Sequence, residues 1–165
     1  MGLFGLGKKK TTEIIYAPSN GKLQTLENVN DPVFAQKLMG EGFGVVPTQG
    51  DICSPVEGTI TSVFKTKHAL GLKTPSGLEI MVHMGLDTVE LEEKPFEILV
   101  KEGEQVKVQT PIARMDLEQV KLAKKDTVVL TIITNTADKI DKTNLLKENG
   151  VDLEIGSKVV EMKVK

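Results

Sequence analysis

Apolar and polar positions alternate over most of the chain in short runs rich in Val, Ile and Thr, such as GTITSVF at 58–64, TVVLTIIT at 127–134 and SKVVEMKV at 157–164. Turn-forming clusters separate them: Pro18-Ser19-Asn20-Gly21, Gly40 to Gly44, Gln49-Gly50-Asp51, Glu57-Gly58, Thr74-Pro75-Ser76-Gly77, Glu102-Gly103, Asn149-Gly150 and Ile155-Gly156. Strands that short, broken that regularly by Gly, Pro and Asn, predict an all-β chain folded as an antiparallel sandwich or barrel with a few short helical turns. Helix signals are sparse. Asp31 as N-cap, Pro32 at the first helical position and a closing Gly40 predict one or two turns over VFAQKLMG, and 116–124 and 141–148 are the other candidates.

A ten-residue pattern occurs twice. Ala17-Pro18-x-x-Gly21-x-Leu23-x-x-Leu26 matches Ser54-Pro55-x-x-Gly58-x-Ile60-x-x-Val63, with turn, glycine and apolar positions in step. The pattern predicts two related β units facing each other.

The stretch 63–87 reads as two strands around Thr74-Pro75-Ser76-Gly77, where Pro presets φ and Gly accepts φ > 0. Pairing Thr74 with Gly77 sets His68 opposite His83. Directly opposed Cβ atoms lie about 4.5 to 5.5 Å apart, close enough for both rings to meet one ligand. Phe64, Thr66, His68, Met81, His83 and Gly85 then share one face, and Ile80 and Val82 point into the core. A register slip of one residue would put the histidines on opposite faces. These are the only two histidines in the chain, which makes a shared site the favoured reading over two ordinary structural histidines.

Two imidazoles with Asp87 nearby suit zinc with an open coordination position. They also suit phosphoryl transfer, with one neutral nitrogen attacking phosphorus and the other ring donating to its oxygens, while Thr66 bonds the remaining nitrogen of His68 and fixes its tautomer. No G-x-x-x-x-G-K-[ST] loop and no G-x-G-x-x-G follows a strand, so a phosphate for such chemistry comes from another protein.

Composition narrows the field. A chain of 165 residues with 39 % hydrophobic content is large enough for a core without metal or disulfide. A net charge of −2 with intermixed signs argues against a nucleic-acid partner. The single cysteine, Cys53, has no cationic neighbour in ICSP and reads as a buried small hydrophobe in a reducing compartment. MGLFGLGKKK has the wrong order for a signal peptide, and no run approaches the roughly 18 apolar residues of a membrane span, so the expectation is a cytoplasmic protein. Residues 1–12 read as a flexible tail whose Leu3, Phe4, Leu6 and Lys8 to Lys10 make at most weak contact with an anionic membrane surface, and 13–165 as one domain.

VHMGLDTVEL at 82–91, KTKHA at 65–69 and DPVFAQKLMG at 31–40 resemble the glucose-class enzyme IIA of the bacterial phosphoenolpyruvate-dependent sugar phosphotransferase system. The similarity runs from about Ile14 onward, and the MGLF opening resembles the stand-alone form. The resemblance implies a β sandwich without a required cofactor. It makes His83 the residue that takes a phosphoryl group from the phosphocarrier HPr and passes it to a cysteine in the IIB domain of a membrane sugar transporter. His68 would then donate a hydrogen bond to the phosphate, Thr66 would orient His68, the Gly85 carbonyl would hold the second nitrogen of His83, and Asp87 would repel or order the phosphate. Phe34, Met39, Phe64 and Met81 fall at the family's partner-docking positions, with Met at 39 and 81 where aromatic or β-branched residues are familiar; Met suits an adaptable surface. Enteric members also regulate enzymes and permeases through this face, some with zinc between the two histidines and a partner carboxylate. The resemblance thus adds regulatory targets, and zinc at His68 and His83, to the expectations.

A zinc hydrolase needs a third protein ligand and usually an H-x-H pair, and the chain has neither a third histidine nor that spacing. KEGEQVKVQTPI and EMKVK bring a biotin or lipoyl carrier to mind, but only two residues follow Lys163, so EMKVK is a final strand with an exposed lysine.

Overall fold

The structure, a computed structural model, describes residues 11–165. Fourteen strands and three short α-helices follow one another: β1 (Thr11–Tyr16), β2 (Gly21–Gln24), α1 (Pro32–Ala35), β3 (Glu41–Pro47), β4 (Asp51–Cys53), β5 (Gly58–Val63), β6 (Ala69–Lys73), β7 (Glu79–Met84), β8 (Phe96–Ile98), β9 (Gln105–Val106), β10 (Pro111–Met115), α2 (Leu117–Leu122), β11 (Val129–Ile133), α3 (Thr136–Lys139), β12 (Ile140–Leu145), β13 (Asp152–Leu153) and β14 (Lys158–Val164). They form an eight-stranded sheet, β13-β2-β3-β11-β7-β6-β5-β9, and two three-stranded sheets, β1-β14-β12 and β4-β10-β8. The ladders within them are antiparallel, as the alternation predicts. One core draws on all three sheets, with Ile15, Val160 and Met162 from one, Ile52 and Ile112 from another, and Phe43, Leu70, Ile80 and Val82 from the large one. Among the described residues no helix is long and apolar enough to cross a membrane. Cys53 is buried, and burial pushes its thiol pKa up. The tail segment named above lies outside the described residues, apart from Thr11 and Thr12, which pair with Val164 and Lys163 in β1.

The faint repeat is an internal duplication with approximate two-fold symmetry. The Tyr16 N–H donates to the Pro55 carbonyl at 2.9 Å, and in the mirrored contact the Cys53 N–H donates to the Pro18 carbonyl at 2.8 Å. The correspondence runs further than the ten matched residues. Ala17 donates to Ser157 as Ser54 does to Thr110, and Leu23 donates to Val151 as Ile60 does to Glu104. Read from its two ends, the large sheet matches strand for strand: β13 with β9, β2 with β5, β3 with β6, and β11 with β7 at the centre.

Side-chain caps start α1 and α2 where the sequence places them: Asp31 accepts from the Val33 N–H at 2.9 Å and Asp116 from the Gln119 N–H at 3.1 Å. The helix expected over 141–148 is instead β12, paired with β14 through Thr143↔Met162 and Leu145↔Val160. An isolated helix that short is marginal in water. The open edge of β14 offers a ladder, and the duplicated half fills the equivalent place with β8. A single helical turn, α3, precedes it.

Candidate functional site

The two histidines meet, though by a different route from the one expected. The 74–78 connection carries one more residue than a two-residue turn: the Gly77 N–H donates to the Thr74 carbonyl at 2.9 Å, the Thr74 N–H donates to the Leu78 carbonyl at 2.9 Å, and Gly77 sits at φ 95°. This three-residue loop with a left-handed Gly shifts the register by one, so Ala69, not His68, pairs with His83. The slip does not separate the rings, because His68 lies outside the ladder. Lys67 at φ 60° bends the 64–68 turn just before β6 begins, and face alternation no longer governs where the His68 ring goes. The ring centroids are 4.9 Å apart with planes at 84°. Met81 and His83 point to the outer face of the large sheet with Leu130 and Ile132, opposite Ile80 and Val82 in the main core.

Thr66 Oγ1 lies 2.5 Å from His68 Nδ1. With the hydroxyl donating, His68 carries its proton on Nε2. Nδ1 of His83 is enclosed and makes no hydrogen bond within the chain, whereas Nε2 of either ring is neither bonded within the chain nor sealed off. Burial pushes the His83 pKa from 6.5 down to about 4, and His68 adds to that shift; the Gly85 backbone and the Asp31 and Asp87 carboxylates pull the other way. An upward pull from a backbone group means its carbonyl. No bond of acceptable geometry joins that carbonyl to Nδ1, so it acts as a nearby dipole. Burial lowers the His68 pKa as well. Both rings are neutral at pH 7.

The sign of this shift is testable. Between pH 6.5 and about 4 the unfolded chain binds a proton at residue 83 that the native chain refuses, so stability falls as the pH is lowered through that window. The expected contribution is about 3 kcal/mol by the lower end. Urea unfolding of wild type and His83→Gln across that range should show wild type losing that much stability relative to the variant as the pH falls; parallel pH profiles would contradict it.

Gly85 opens the loop that follows β7. Its φ is 78°, and a Cβ there would overlap Thr88 Cγ2 and lie 2.8 Å from the Asp126 carbonyl oxygen. Gly85→Ala therefore combines a left-handed penalty with a clash against backbone, for an expected loss of roughly 2 to 5 kcal/mol, read from its urea midpoint. An unchanged midpoint rules this account out. Asp87 is exposed at φ 57°.

The candidate docking residues divide. Met39 and Phe64 are 40 % and 41 % exposed, whereas Phe34 and Met81 are each 9 % exposed. Phe34 packs on His83 at 5.3 Å between centroids, and Phe64 meets the His68 ring edge-on at 5.4 Å. The duplication explains this asymmetry. Residues 25–40 between β2 and β3 lay Leu26, Val29 and Phe34 over Met81, Leu130 and Ile132, whereas the matching β5–β6 connection is only 64–68. Its half of the face stays open as a groove of about 370 Å³ lined by Phe64, Ser62, Gly71, Met81 and Thr134. Sequence reading missed three residues: Asp31, taken only as a helix cap, and the exposed Val33 and Leu38 of the segment that carries Met39. The adjacency of Asp31 to Phe34 was the available signal for the first.

Residues 13–139 match the family described as phosphoenolpyruvate-dependent sugar phosphotransferase system, EIIA 1. The chain is 49 % identical over 150 residues to a PTS system glucose-specific EIIA component from Staphylococcus aureus, covering 90 % of each, and 50 % identical over 135 residues to one from Staphylococcus epidermidis, covering 81 % of each. Among solved structures it is similar to glucose permease IIA from Mycoplasma capricolum, with a TM-score of 0.79 and 30 % identity over 92 % of this chain and 96 % of that one.

Proposed function

The chain belongs to the EIIA 1 family of the phosphoenolpyruvate-dependent sugar phosphotransferase system, the phosphoryl carriers between HPr and a IIB domain, and we propose that His83 Nε2 is the atom on which the phosphoryl group travels. The observation that carries this is the pairing of an imidazole neutral down to about pH 4, its Nδ1 enclosed, with a second ring 4.9 Å away. A nucleophile needs a free lone pair at working pH, and this ring keeps one.

The Nε2 lone pair attacks the phosphorus of phosphohistidine in HPr; the donor P–N bond breaks, and its electron pair returns to the donor imidazole. A cysteine thiolate of the IIB domain then attacks from the opposite side, and the P–Nε2 electron pair returns to His83. His68, with Nδ1 tied to Thr66, offers Nε2–H to the phosphoryl oxygens, where charge is greatest in each transfer. Asp87 keeps the mouth of the site anionic, so a phosphate settles there only when a partner brings compensating charge. Phe64, Met39 and the open groove beside Met81 receive the partners, while Phe34 braces the His83 ring from beneath. This work belongs in the cytoplasm, at the inner face of a sugar transporter.

Two imidazoles give zinc two ligands, and the described residues hold no group of three His, Cys, Asp or Glu side chains for a metal. A zinc ion at His68 and His83 would take its next ligand from a partner's carboxylate. The function is tested by incubating the chain with phosphoenolpyruvate, enzyme I and HPr and locating the acid-labile phosphate.

A further inference from the structure

We propose that Met39 is an oxidation-sensitive residue of the docking face: a peroxide converts its thioether to the sulfoxide, and the sulfoxide weakens partner docking while leaving the fold and the His83 ring as they are. This deepens the reading above and rests on partners docking around Met39.

The sulfur atoms of the chain are unequally placed. Among the described residues Met84, Met115 and Met162 are buried, Met81 is nearly so, and Met39 alone of the methionines is well exposed. The thiol is a poor competitor: Cys53 is buried and burial raises its pKa, so little thiolate is present to react. A peroxide arriving from solvent therefore meets Met39 first.

The surroundings decide what that oxidation changes. Met39 stands beside Leu38 and not far in sequence from Val33, both exposed, on the turn that leads from α1 into β3. Backbone bonds hold this turn: the Leu38 N–H donates to the Val33 carbonyl at 3.0 Å and the Gly40 N–H to the Lys37 carbonyl at 3.2 Å. Lys37 also pairs with Glu41 at 3.3 Å across it. Gly40, at φ 133°, lies so close to β11 that a Cβ there would overlap the Ile133 carbonyl oxygen. Met39 itself belongs to neither buried cluster, whereas Met81 belongs to the one that includes Phe34. The Met39 side chain can thus change character while the backbone beneath it, and the Phe34 ring against His83, stay in place.

The chemistry is a two-electron transfer of oxygen. A sulfur lone pair attacks one peroxide oxygen, the O–O bond breaks, and the second oxygen takes up a proton and leaves as water; sulfur is oxidised and the peroxide reduced. The product is a polar sulfoxide where the resting patch offers an adaptable apolar chain. A partner that covers it must strip water from the new S=O group, and an apolar partner surface returns no hydrogen bond. A methionine sulfoxide reductase reverses the change: two thiols become a disulfide and the oxygen leaves as water.

The test treats the full chain with hydrogen peroxide, removes the excess with catalase, maps added oxygen by peptide mass spectrometry, and then measures steady-state acceptance from phospho-HPr. Oxygen is expected on the Met39 peptide before those of Met81, Met84, Met115 and Met162. KM for phospho-HPr should rise about tenfold, the affinity equivalent of desolvating one unpaired polar group, with kcat and the melting temperature unchanged. Reductase treatment should return KM to its starting value. Met39→Leu keeps a similar volume and every other methionine, Met1 included. Compared with its own untreated form, that variant should show no rise in KM. The proposal is overturned by wild type that carries the Met39 sulfoxide at unchanged KM, by oxygen landing first on a buried methionine, or by a rise in KM that persists in Met39→Leu. Failure of the carrier reading is distinct: untreated wild type then accepts nothing from phospho-HPr before any oxidant is added, and the docking part of this proposal falls with it.

Discussion

His83→Ala should take up no acid-labile phosphate from phosphoenolpyruvate, enzyme I and HPr, where the wild type is expected to take up one phosphoryl group per chain. The expectation is a complete loss because no other group among the described residues combines nucleophile and setting. His68 has its Nδ1 engaged by Thr66, and its Nε2 serves as a donor. Cys53 is buried, with its thiol pKa raised. Residue 83 lies on β7 near the middle of the large sheet, where the ring packs against Phe34 and its Nδ1 is enclosed. Truncation to Ala removes the nucleophile without touching the main core, which lies on the other face of the sheet. Near-native circular dichroism and melting should therefore accompany the loss. Phosphate on the His83→Ala chain at wild-type stoichiometry would falsify the assignment of the carrier atom.

That the two histidines meet is legible in the sequence even though the hairpin register is not. The pairing arithmetic assumed a two-residue turn, and Gly77 in a left-handed conformation lengthened it by one. Strict alternation would then have sent His68 into the core. It does not, because the 64–68 turn bends at Lys67, a non-glycine residue with positive φ that no side-chain pattern announces. Two histidines in one hairpin were informative about proximity, while register and ring direction depended on two backbone conformations that alternation does not encode.

Elsewhere the limits of legibility are those of local signals. The caps on α1 and α2 are short-range hydrogen bonds between a carboxylate and the backbone N–H groups just after it, and the sequence displays both partners. Residues 141–148 display charge and leucines that suit a helix, but a strand at the edge of a three-stranded sheet is chosen by its partner β14. The repeat showed only ten residues because side chains have diverged where backbone hydrogen bonds have not: Gly103 and Gly150 donate to Ile60 and Leu23 in matched fashion, while the residues around them differ. The same divergence made the docking face hard to read. Phe34 and Phe64 look equivalent as exposed aromatics in a sequence, yet one belongs to the long connection that covers its half of the sheet and the other to the short connection that leaves its half open.

His68→Gln should accept phosphate from HPr and then hold it, with transfer to the IIB cysteine slowed by about 10²- to 10³-fold, the scale of stabilisation that one group aimed at developing charge supplies. The two half-reactions make different demands. In the first, the group that departs from phosphorus is a neutral imidazole of HPr, and His83 enters neutral, so little charge is brought in. In the second, a thiolate adds its negative charge to a phosphoryl group that is already dianionic. Burial lowers the His68 pKa in the resting chain, but a dianion on the neighbouring ring acts in the opposite direction and favours imidazolium. His68 can thus bring a positive charge to the step that needs one. A glutamine can offer an N–H at similar reach, which is why acceptance survives, but it cannot become a cation. Rapid-quench measurement of both half-reactions with a purified IIB domain separates them: phospho-His68→Gln should accumulate while its discharge lags. Discharge at the wild-type rate would show that a neutral donor suffices and that protonation of His68 has no part in the transfer.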